Sequence, residues 1–173
     1  MGGSGPNFAE VYSSTFSAVW RFAASHGIHG SDLEDVVQEV FVVVHQKLGA
    51  FEGRSSVRTW TIGIALNVIR AFRRRRATRK LGEQIDDFPE PAVPTGGPPD
   101  LVEARQEAEF LFAFLEELTE AQREVFVVCE IEGLSVVDAA DLLEVNENTL
   151  RTRLRSARLA LNEAVRKREK PKY

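Results

Sequence analysis

Residues 118–165 read LTEAQREVFVVCEIEGLSVVDAADLLEVNENTLRTRLRSARLALNEAV, and this stretch decides the fold. Two hydroxyl residues in it each lie three positions before a side chain that can reach back to them: Thr119 before Gln122, and Ser135 before Asp138. This spacing is that of a capping box, which marks the start of a helix. The stretch therefore predicts a succession of short helices.

A polar turn is predicted before the last helix of this stretch. Gly133 ends the helix ahead of Ser135. Residues 144–148 read EVNEN, which is too polar to continue the apolar stripe, and Asn146 or Asn148 can cap the helix that follows. A short helix, a capped turn and a longer helix form a helix-turn-helix, the geometry that delivers a helix into the major groove of DNA.

The last helix of the stretch presents two faces. Its core face comprises Leu150, Leu154, Ala157 and Leu161. Arginines recur at i, i+4 and i+7 on another face, where they can bind guanine or pin phosphates. We predict these DNA contacts: Asn148, Thr149, Arg151, Thr152, Arg155 and Arg158. The alternative is an amphipathic helix with a solvated cationic face.

Residues 53–76 read GRSSVRTWTIGIALNVIRAFRRRR and predict a second basic helix. If Ser55 or Ser56 starts this helix, one buried stripe at four-residue spacing comprises Trp60, Ile64, Val68 and Phe72. Asn67, Arg70 and Arg74 line a different face, whose amide and guanidinium groups suit phosphates and unpaired bases. The alternative is a packed helix with a solvated basic end.

Two helices are predicted upstream of this basic helix. One spans residues 12–24, and the next opens at a capping box formed by Ser31 and Glu34. The buried set of the second helix is Leu33, Val36, Val37, Val40, Phe41, Val44 and Leu48. An acidic ridge on another face comprises Asp35, Gln38, Glu39 and Val42, the last being its apolar member. In an isolated helix such a ridge is solvated surface.

A proline-rich segment separates the two basic blocks. Residues 80–100 contain Pro89, Pro91, Pro94, Pro98 and Pro99 with Gly96 and Gly97. This composition cannot sustain a helix and favours a mobile tether. We predict an all-α protein with two small helical domains, at 7–79 and 101–170, joined by a flexible linker at 80–100. The C-terminal domain is the one with the helix-turn-helix.

The charges of the chain are segregated. The formal net charge of the 173 residues is -4, an average that argues against nucleic-acid binding. Basic residues nevertheless cluster in 70–80 and 151–172, while 83–120 is acidic. The single cysteine excludes an internal disulfide, no apolar run approaches membrane-spanning length, and no signal peptide precedes Phe8. We therefore expect a cytoplasmic protein with no direct membrane insertion.

Catalytic chemistry finds little support in the sequence. His26 and His29 are flanked by glycines and have no carboxylate or cysteine at ligand spacing. Cys129 lies among apolar residues, as a small core residue does. A Gly-rich phosphate loop and a nucleophile elbow are both missing from the sequence. We expect no enzyme activity, no cofactor and no metal.

The order of these blocks resembles that of the bacterial RNA polymerase sigma factors of the sigma-70 family. DLEDVVQEVF, followed by GRSSVRTW and an arginine run, resembles their domain two. LTEAQREVF, EGLSVVDAADLL and NTLRTRLRSAR resemble their domain four. The resemblance covers residues 8–165 and leaves no room for an acidic N-terminal region or a middle domain. That minimum is typical of the extracytoplasmic function (ECF) group.

The resemblance implies partners and site residues. The chain would bind core RNA polymerase, direct it to particular promoters and be controlled by an anti-sigma factor. The DVVQE segment of the acidic ridge matches the family's docking surface for the clamp helices of the largest polymerase subunit, so the expected contacts with core polymerase are Asp35, Gln38 and Glu39. The residues expected to contact the downstream promoter element as it melts are Arg58, Trp60, Asn67, Arg70, Arg73 and Arg74. The last helix would read the upstream element, although Ser156 stands where many relatives carry an arginine.

Two other classes of protein stay open at this point. A stand-alone helix-turn-helix regulator would end in a domain like residues 118–165, but it needs a sensor or receiver domain, and no βα alternation is present upstream. A structural adaptor would keep the acidic ridge without a DNA-reading arginine face. Promoter-directed transcription separates this adaptor from a sigma factor.

Overall fold

The computed structural model describes residues 6–80 and 99–169. Within these residues the regular structure is helical and contains no strand, which confirms the predicted all-α class. The helices fall into two compact units, one before and one after the predicted linker. That linker lies almost entirely outside the described residues. No described helix is both long and apolar enough to span a membrane.

The first unit consists of helices α1 (Phe8–Ser25), α2 (Gly30–Lys47) and α3 (Val57–Lys80), with a short 3₁₀ turn at Leu48–Ala50. Each of the three helices packs against the other two. Their shared core includes Val19, Phe22, Val36, Val40, Val44, Ile62, Leu66 and Ile69. Because α3 contacts both neighbours, its buried face is wider than a single stripe. Trp60 and Phe72, predicted to lie in that stripe, are only half-buried at its rim.

The starts of α1, α2 and α3 use different caps. Asn7 and Glu10 form a capping box at α1, and the Ser56 hydroxyl accepts the Thr59 backbone N–H at 3.0 Å at α3. The cap predicted at Ser31 is wrong. Helix α2 begins one residue earlier, at Gly30, so Ser31 already lies inside the first turn, and its cap position holds His29 without a side-chain hydrogen bond.

The second unit consists of α4 (Pro99–Glu117), α5 (Glu120–Phe126), α6 (Val136–Leu143) and α7 (Glu147–Glu169), with a π-helical turn at Val127–Ile131 that continues α5. Its core includes Phe114, Leu115, Val125, Phe126, Val128, Ala139, Leu143, Leu150, Leu154 and Ala157. Arg123 joins α4 to α5, because its Nε donates to the Leu115 carbonyl at 2.6 Å and its Nη2 donates to the Glu116 carbonyl at 3.2 Å. These bonds satisfy carbonyls that a helix end otherwise leaves open.

The caps of the second unit follow the sequence closely. Thr119 and Gln122 form the predicted capping box at α5. The Ser135 hydroxyl caps α6 by accepting the Asp138 N–H at 3.1 Å, but the Asp138 carboxylate accepts from that hydroxyl, not from the backbone N–H that a complete box would use. Gly133 has a φ of 72° between the π-helical turn and α6, as expected of a helix-ending glycine.

The turn between α6 and α7 is short and tightly defined. Glu144 ends α6 in the left-handed conformation with a φ of 56°. Asn146 then caps α7, because its Oδ1 accepts the Thr149 N–H at 2.8 Å. Helix α6, this turn and α7 form the predicted helix-turn-helix, in which α7 is the helix that would enter the major groove.

The Asn146 cap leads to a first prediction. Asn146→Ala should lower the free energy of unfolding by about 0.5–2 kcal/mol, because it leaves an N–H of the first turn of α7 without its acceptor. Urea unfolding of the full chain, followed by circular dichroism, measures the change. Asn148→Ala is the matched control, since within the described residues the Asn148 side chain makes no hydrogen bond. Equal losses in the two variants would contradict the assignment of the cap.

Candidate nucleic-acid interface and docking groove

Helix α7 separates an apolar face from a polar face. Leu150, Leu154 and Ala157 are buried against the rest of the unit. The predicted DNA contacts lie elsewhere on the helix: Asn148, Arg151, Thr152, Arg155 and Arg158 are exposed, and Thr149 is half-buried. The structure therefore presents the predicted set to solvent on one helix, with its first members at the N-terminal end beside the turn.

The α7 arginines differ in their intramolecular partners. Arg151 Nη2 donates to Glu147 Oε2 at 3.0 Å, one turn earlier on the same helix. Arg158 donates through Nε and Nη2 to Glu130 Oε1, at 3.0 and 2.6 Å. Within the part of the chain that the structure describes, Arg155 forms neither an ion pair nor a hydrogen bond from its side chain. The Arg155 guanidinium is therefore exposed without an intramolecular partner among these residues.

Glu130, the carboxylate partner of Arg158, lies on the π-helical turn. Glu132 N–H donates to the Val127 carbonyl at 2.9 Å, five residues back, which is the spacing of a π-helix. The turn buries Val127 and Val128 while Glu130 stays exposed next to α7. Sequence reasoning did not find this contact, because the two residues are far apart in the chain and no local pattern predicts a π-helical turn.

Helix α3 places its predicted DNA contacts in three kinds of environment. Arg58, Asn67 and Arg74 are exposed, and Trp60 and Arg70 are half-buried. The Trp60 ring lies 5.0 Å from the Phe51 ring, measured between centroids. Arg73 Nη2 donates to the backbone carbonyl of His26, between α1 and α2. This bond directs Arg73 toward the protein's own backbone, unlike the phosphate contact that its place in the arginine run suggested.

The arginine run at the end of α3 is also tied to α2. Arg75 Nη2 donates to Glu39 Oε2 at 2.8 Å, and Arg76 Nη1 donates to Asp32 Oδ2 at 2.9 Å. Glu39 belongs to the acidic ridge, so this ridge is already in contact with one basic residue of α3. Arg74, which precedes Arg75 in the run, is exposed. The run therefore contributes to packing as well as to surface charge.

A docking groove lies between α1 and α2, beside the acidic ridge. It has a volume of about 520 Å³ and is lined by Phe8, Tyr12, Phe16, Trp20, Glu34, Val37, Gln38, Phe41, Val42, His45 and Gln46. The Tyr12 and Phe41 rings meet across it, with centroids 4.6 Å apart. Two of its members, Tyr12 and Val42, are 42% and 50% exposed. The groove thus offers apolar surface next to acidic and amide side chains.

Sequence reasoning missed the aromatic half of this groove. Phe8, Tyr12, Phe16 and Trp20 recur every four residues along α1, and this spacing was a signal that one face of the helix carries rings. In the structure Tyr12 is exposed and the other three rings are half-buried, whereas the core residues of α1 include Val11, Val19 and Phe22. Gln38 and Val42 belong to both the acidic ridge and the groove lining.

His26 and Cys129, considered above as candidate metal ligand and nucleophile, are both at least partly buried. His26 is buried, and its Nδ1 lies 2.7 Å from the Phe22 carbonyl oxygen within hydrogen-bond distance. In the described ranges no three or more His, Cys, Asp or Glu side chains are grouped to hold a metal ion. Cys129 is half-buried on the π-helical turn. His26 is thus packed inside the first unit and Cys129 is partly covered in the second.

The Cys129 thiol should be a slow nucleophile. Burial, and to a lesser extent the charge of Glu130, raises the pKa of Cys129, while Arg158 acts in the opposite direction. A raised pKa favours the neutral thiol in the folded state, a preference that is lost as the pH rises through the folded pKa. Alkylation requires the thiolate. We expect the rate of alkylation by iodoacetamide to reach its midpoint at a higher pH in the folded chain than in the urea-unfolded chain.

Variants make this pH prediction specific to its causes. The sequence contains one cysteine, so all labelling reports on Cys129. Glu130→Gln removes one of the two causes and should move the midpoint of the folded chain to lower pH. A folded midpoint at or below that of the unfolded chain would refute the prediction.

Comparison with known proteins gives two family matches. Residues 11–79 match the family model of Sigma-70 region 2, and residues 111–161 match that of Sigma-70 region 4. The chain is 31% identical over 147 residues to the RNA polymerase sigma factor NccH of Alcaligenes xylosoxydans xylosoxydans, covering 83% of this chain and 78% of NccH. It is 27% identical over 148 residues to the ECF RNA polymerase sigma-E factor of Escherichia coli strain K12, covering 82% and 78%.

Two solved structures resemble the chain. One is CnrH in complex with the cytosolic domain of CnrY, with a TM-score of 0.66, 27% identity and coverage of 94% of this chain and 89% of that one. The other is the sigma factor RpoE in complex with the anti-sigma factor NepR from Bartonella quintana, with a TM-score of 0.74 and 23% identity. It covers 92% of this chain and 96% of that one, and at this identity it supports the fold.

Proposed function

Because the chain belongs to the sigma-70 family of RNA polymerase sigma factors, in its ECF group, we propose that its two helical units divide the work of promoter-specific initiation. We assign the unit of α1, α2 and α3 to domain two, predicted at 7–79. The unit of α4 to α7, which begins at Pro99, we assign to domain four, predicted at 101–170. The observation that carries the proposal is the exposed arginine face of α7, presented by a capped turn in the region-4 match.

The upstream promoter element is assigned to α7. Its exposed N-terminal residues, Asn148, Arg151 and Thr152, stand where a recognition helix contacts base edges. Arginine can bind guanine through O6 and N7, and it can equally bind a phosphate. We assign Arg151 to a base, and Arg155 to DNA through either a base or a phosphate. Arg158 is expected to contribute less, since Glu130 already holds it.

The downstream promoter element is assigned to α3 and the loop before it. Trp60 is half-buried, so one part of its ring is available for stacking on an unpaired base. Asn67 and Arg74 are exposed along the same helix and Arg58 lies near its start. We assign Arg73 a structural role, because its guanidinium holds the segment between α1 and α2 in place.

Core RNA polymerase is assigned to the acidic ridge together with the docking groove. Asp35 and Gln38 are exposed, and the Glu39 side chain is 41% exposed. A stable interface combines an apolar centre with a polar rim. The aromatic groove can supply that centre and the ridge can supply its rim, so the two together make a better docking surface than the ridge alone.

Regulation by an anti-sigma factor and action in the cytoplasm complete the proposal. The related CnrH is bound by a cytosolic domain of CnrY, which indicates that a protein of this architecture can be covered by a second chain. A partner that covered the docking groove would exclude polymerase by competition. Core polymerase and promoter DNA are cytoplasmic, and a transcription initiation factor that works with them needs no catalytic activity of its own.

Run-off transcription tests the proposed function. The purified full chain is added to core RNA polymerase and fragmented genomic DNA of its host, and the 5′ ends of the transcripts are mapped. We expect transcripts that start at a small set of sites and require the chain. Binding to polymerase without such starts would indicate an adaptor. A stand-alone regulator would instead bind DNA without core polymerase, and it leaves the region-2 match at 11–79 unexplained.

A further inference from the structure

The N-terminal end of α7 carries a carboxylate beside a predicted base-reading arginine. Arg151 Nη2 lies 3.0 Å from Glu147 Oε2, and the side chains of Arg151 and Glu147 are 59% and 48% exposed. The pair is spaced i, i+4 with the glutamate first, which is the favourable order on a helix. Glu147 also lies in the first turn of α7, where the helix dipole stabilises a negative charge.

The pair leaves Arg151 able to bind a base. A guanidinium has five N–H donors, and Glu147 accepts a hydrogen bond from one of its nitrogens. Donors remain for two parallel bonds to guanine O6 and N7. An arginine whose rotamer is already restrained loses less side-chain freedom when it binds, so part of the entropic cost of recognition has been met in the free protein.

The geometry points to Glu147 as a positioning residue that makes Arg151 a reader of one base pair rather than a general phosphate contact. This inference rests on the proposed function of α7 as the helix that reads the upstream element. Glu147 acts through orientation, since it restrains the guanidinium, and through charge, since its carboxylate repels phosphates of any sequence. Both actions raise the ratio of specific to non-specific binding, which is the quantity that locates a promoter in a genome.

The other α7 arginines show why the effect belongs to Arg151. Arg155 has no carboxylate partner among the described residues and can meet a phosphate or a base in many rotamers. Arg158 donates twice to Glu130, so more of its donor capacity is occupied. Arg151 has a single restraining bond and lies nearest the end of α7 that enters the groove.

A randomised promoter library tests the inference. Holoenzyme assembled from the full chain and core RNA polymerase is incubated with duplexes whose upstream segment is randomised, and the bound DNA is sequenced to give the base preference at each position. Arg151→Ala identifies the position that Arg151 reads. Glu147→Ala should lose about two- to fivefold of the preference at that same position, the upper part of the range for an exposed ion pair. It should also increase binding to a non-promoter duplex.

Three further variants separate orientation from charge. Glu147→Gln keeps a hydrogen-bond acceptor for Arg151 and should retain most of the base preference, while its non-promoter binding rises as in Glu147→Ala. Glu163→Ala removes the same charge from an exposed position further along α7 and should leave the preference unchanged. In the Arg151→Ala background, Glu147→Ala should have no further effect at the identified position, because the residue it positions is gone.

The outcomes that overturn the inference are distinct. A normal preference in Glu147→Ala, combined with a relaxed one in Arg151→Ala, overturns the inference alone. A loss at a different base pair, or an additive loss in the double variant, shows that Glu147 contacts DNA itself and also overturns it. An unchanged preference in Arg151→Ala overturns both the inference and the assignment of α7 as the reading helix.

Discussion

Replacing Val42 by glutamate is expected to weaken binding of the chain to core RNA polymerase by at least about tenfold, since an interface over the docking groove would bury an unpaired carboxylate. Val42 lines that groove and is 50% exposed in the free chain. Because Val42 is exposed in the free chain, the substitution should leave the free energy of unfolding within about 0.5 kcal/mol of the parent value. Equilibrium binding of the fluorescently labelled chain to core polymerase measures the affinity.

Ser17→Glu is the matched control for Val42→Glu. Ser17 is exposed on α1, in the same helical unit, but it does not line the groove. It introduces the same charge on the same kind of helical surface, so it should leave the affinity for core polymerase close to that of the parent chain. Equal affinities of Val42→Glu and Ser17→Glu would show that the groove is not the docking surface.

Replacing Arg155 by alanine is expected to weaken binding of the holoenzyme to its upstream element by about 1–3 kcal/mol, or roughly five- to 150-fold. Arg155 is exposed in the middle of the α7 arginine face, and within residues 6–80 and 99–169 it has no ion pair that would compete with DNA. Fluorescence anisotropy of a labelled promoter duplex, recorded over a range of salt concentrations, measures the loss. If Arg155 binds a phosphate, the slope of log affinity against log salt should also fall by about one.

Arg158→Ala is the comparison for Arg155→Ala, because it removes the same side chain from the same helix one turn further on. Its guanidinium is already bound to Glu130 and would contribute less to DNA binding, so we expect a smaller drop in affinity. A loss at Arg158 as large as that at Arg155 would mean that the Glu130 pair opens readily and does not decide which arginine meets DNA.

The local features of the fold could be predicted from the sequence, and the tertiary ones could not. A local sequence pattern predicts a feature that depends on residues within a few positions of one another. This holds for the caps at Thr119, Ser135 and Asn146 and for the turn at Gly133. The cap expected at Ser31 failed because Gly30, with a φ of 58°, opens α2 one residue earlier. Glycine readily adopts this left-handed conformation, which a pattern of capping side chains does not predict.

In the candidate site, too, the local features could be predicted from the sequence and the tertiary contacts could not. Exposure of Asn148, Arg151, Thr152 and Arg155 follows from helical periodicity, because the opposite face of α7 is apolar. The bond from Arg73 to the His26 carbonyl links residues 47 positions apart, and no local pattern distinguishes Arg73 from Arg74 in a run of arginines. The same holds for Glu130 and Arg158, whose contact depends on how α7 packs beside the π-helical turn.

The ion pair between Arg75 and Glu39 makes the acidic ridge and the arginine run share one carboxylate. If a polymerase cation engages Glu39, Arg75 is held less tightly and can pair more readily with another anion. Linkage is reciprocal, so an anion that attracts Arg75 would strengthen binding of the ridge to polymerase by the same factor. The coupling cannot exceed the strength of an exposed ion pair, roughly 0.2–1 kcal/mol, or a factor of up to about five. Cooperativity of this size would favour the ternary complex over either binary one.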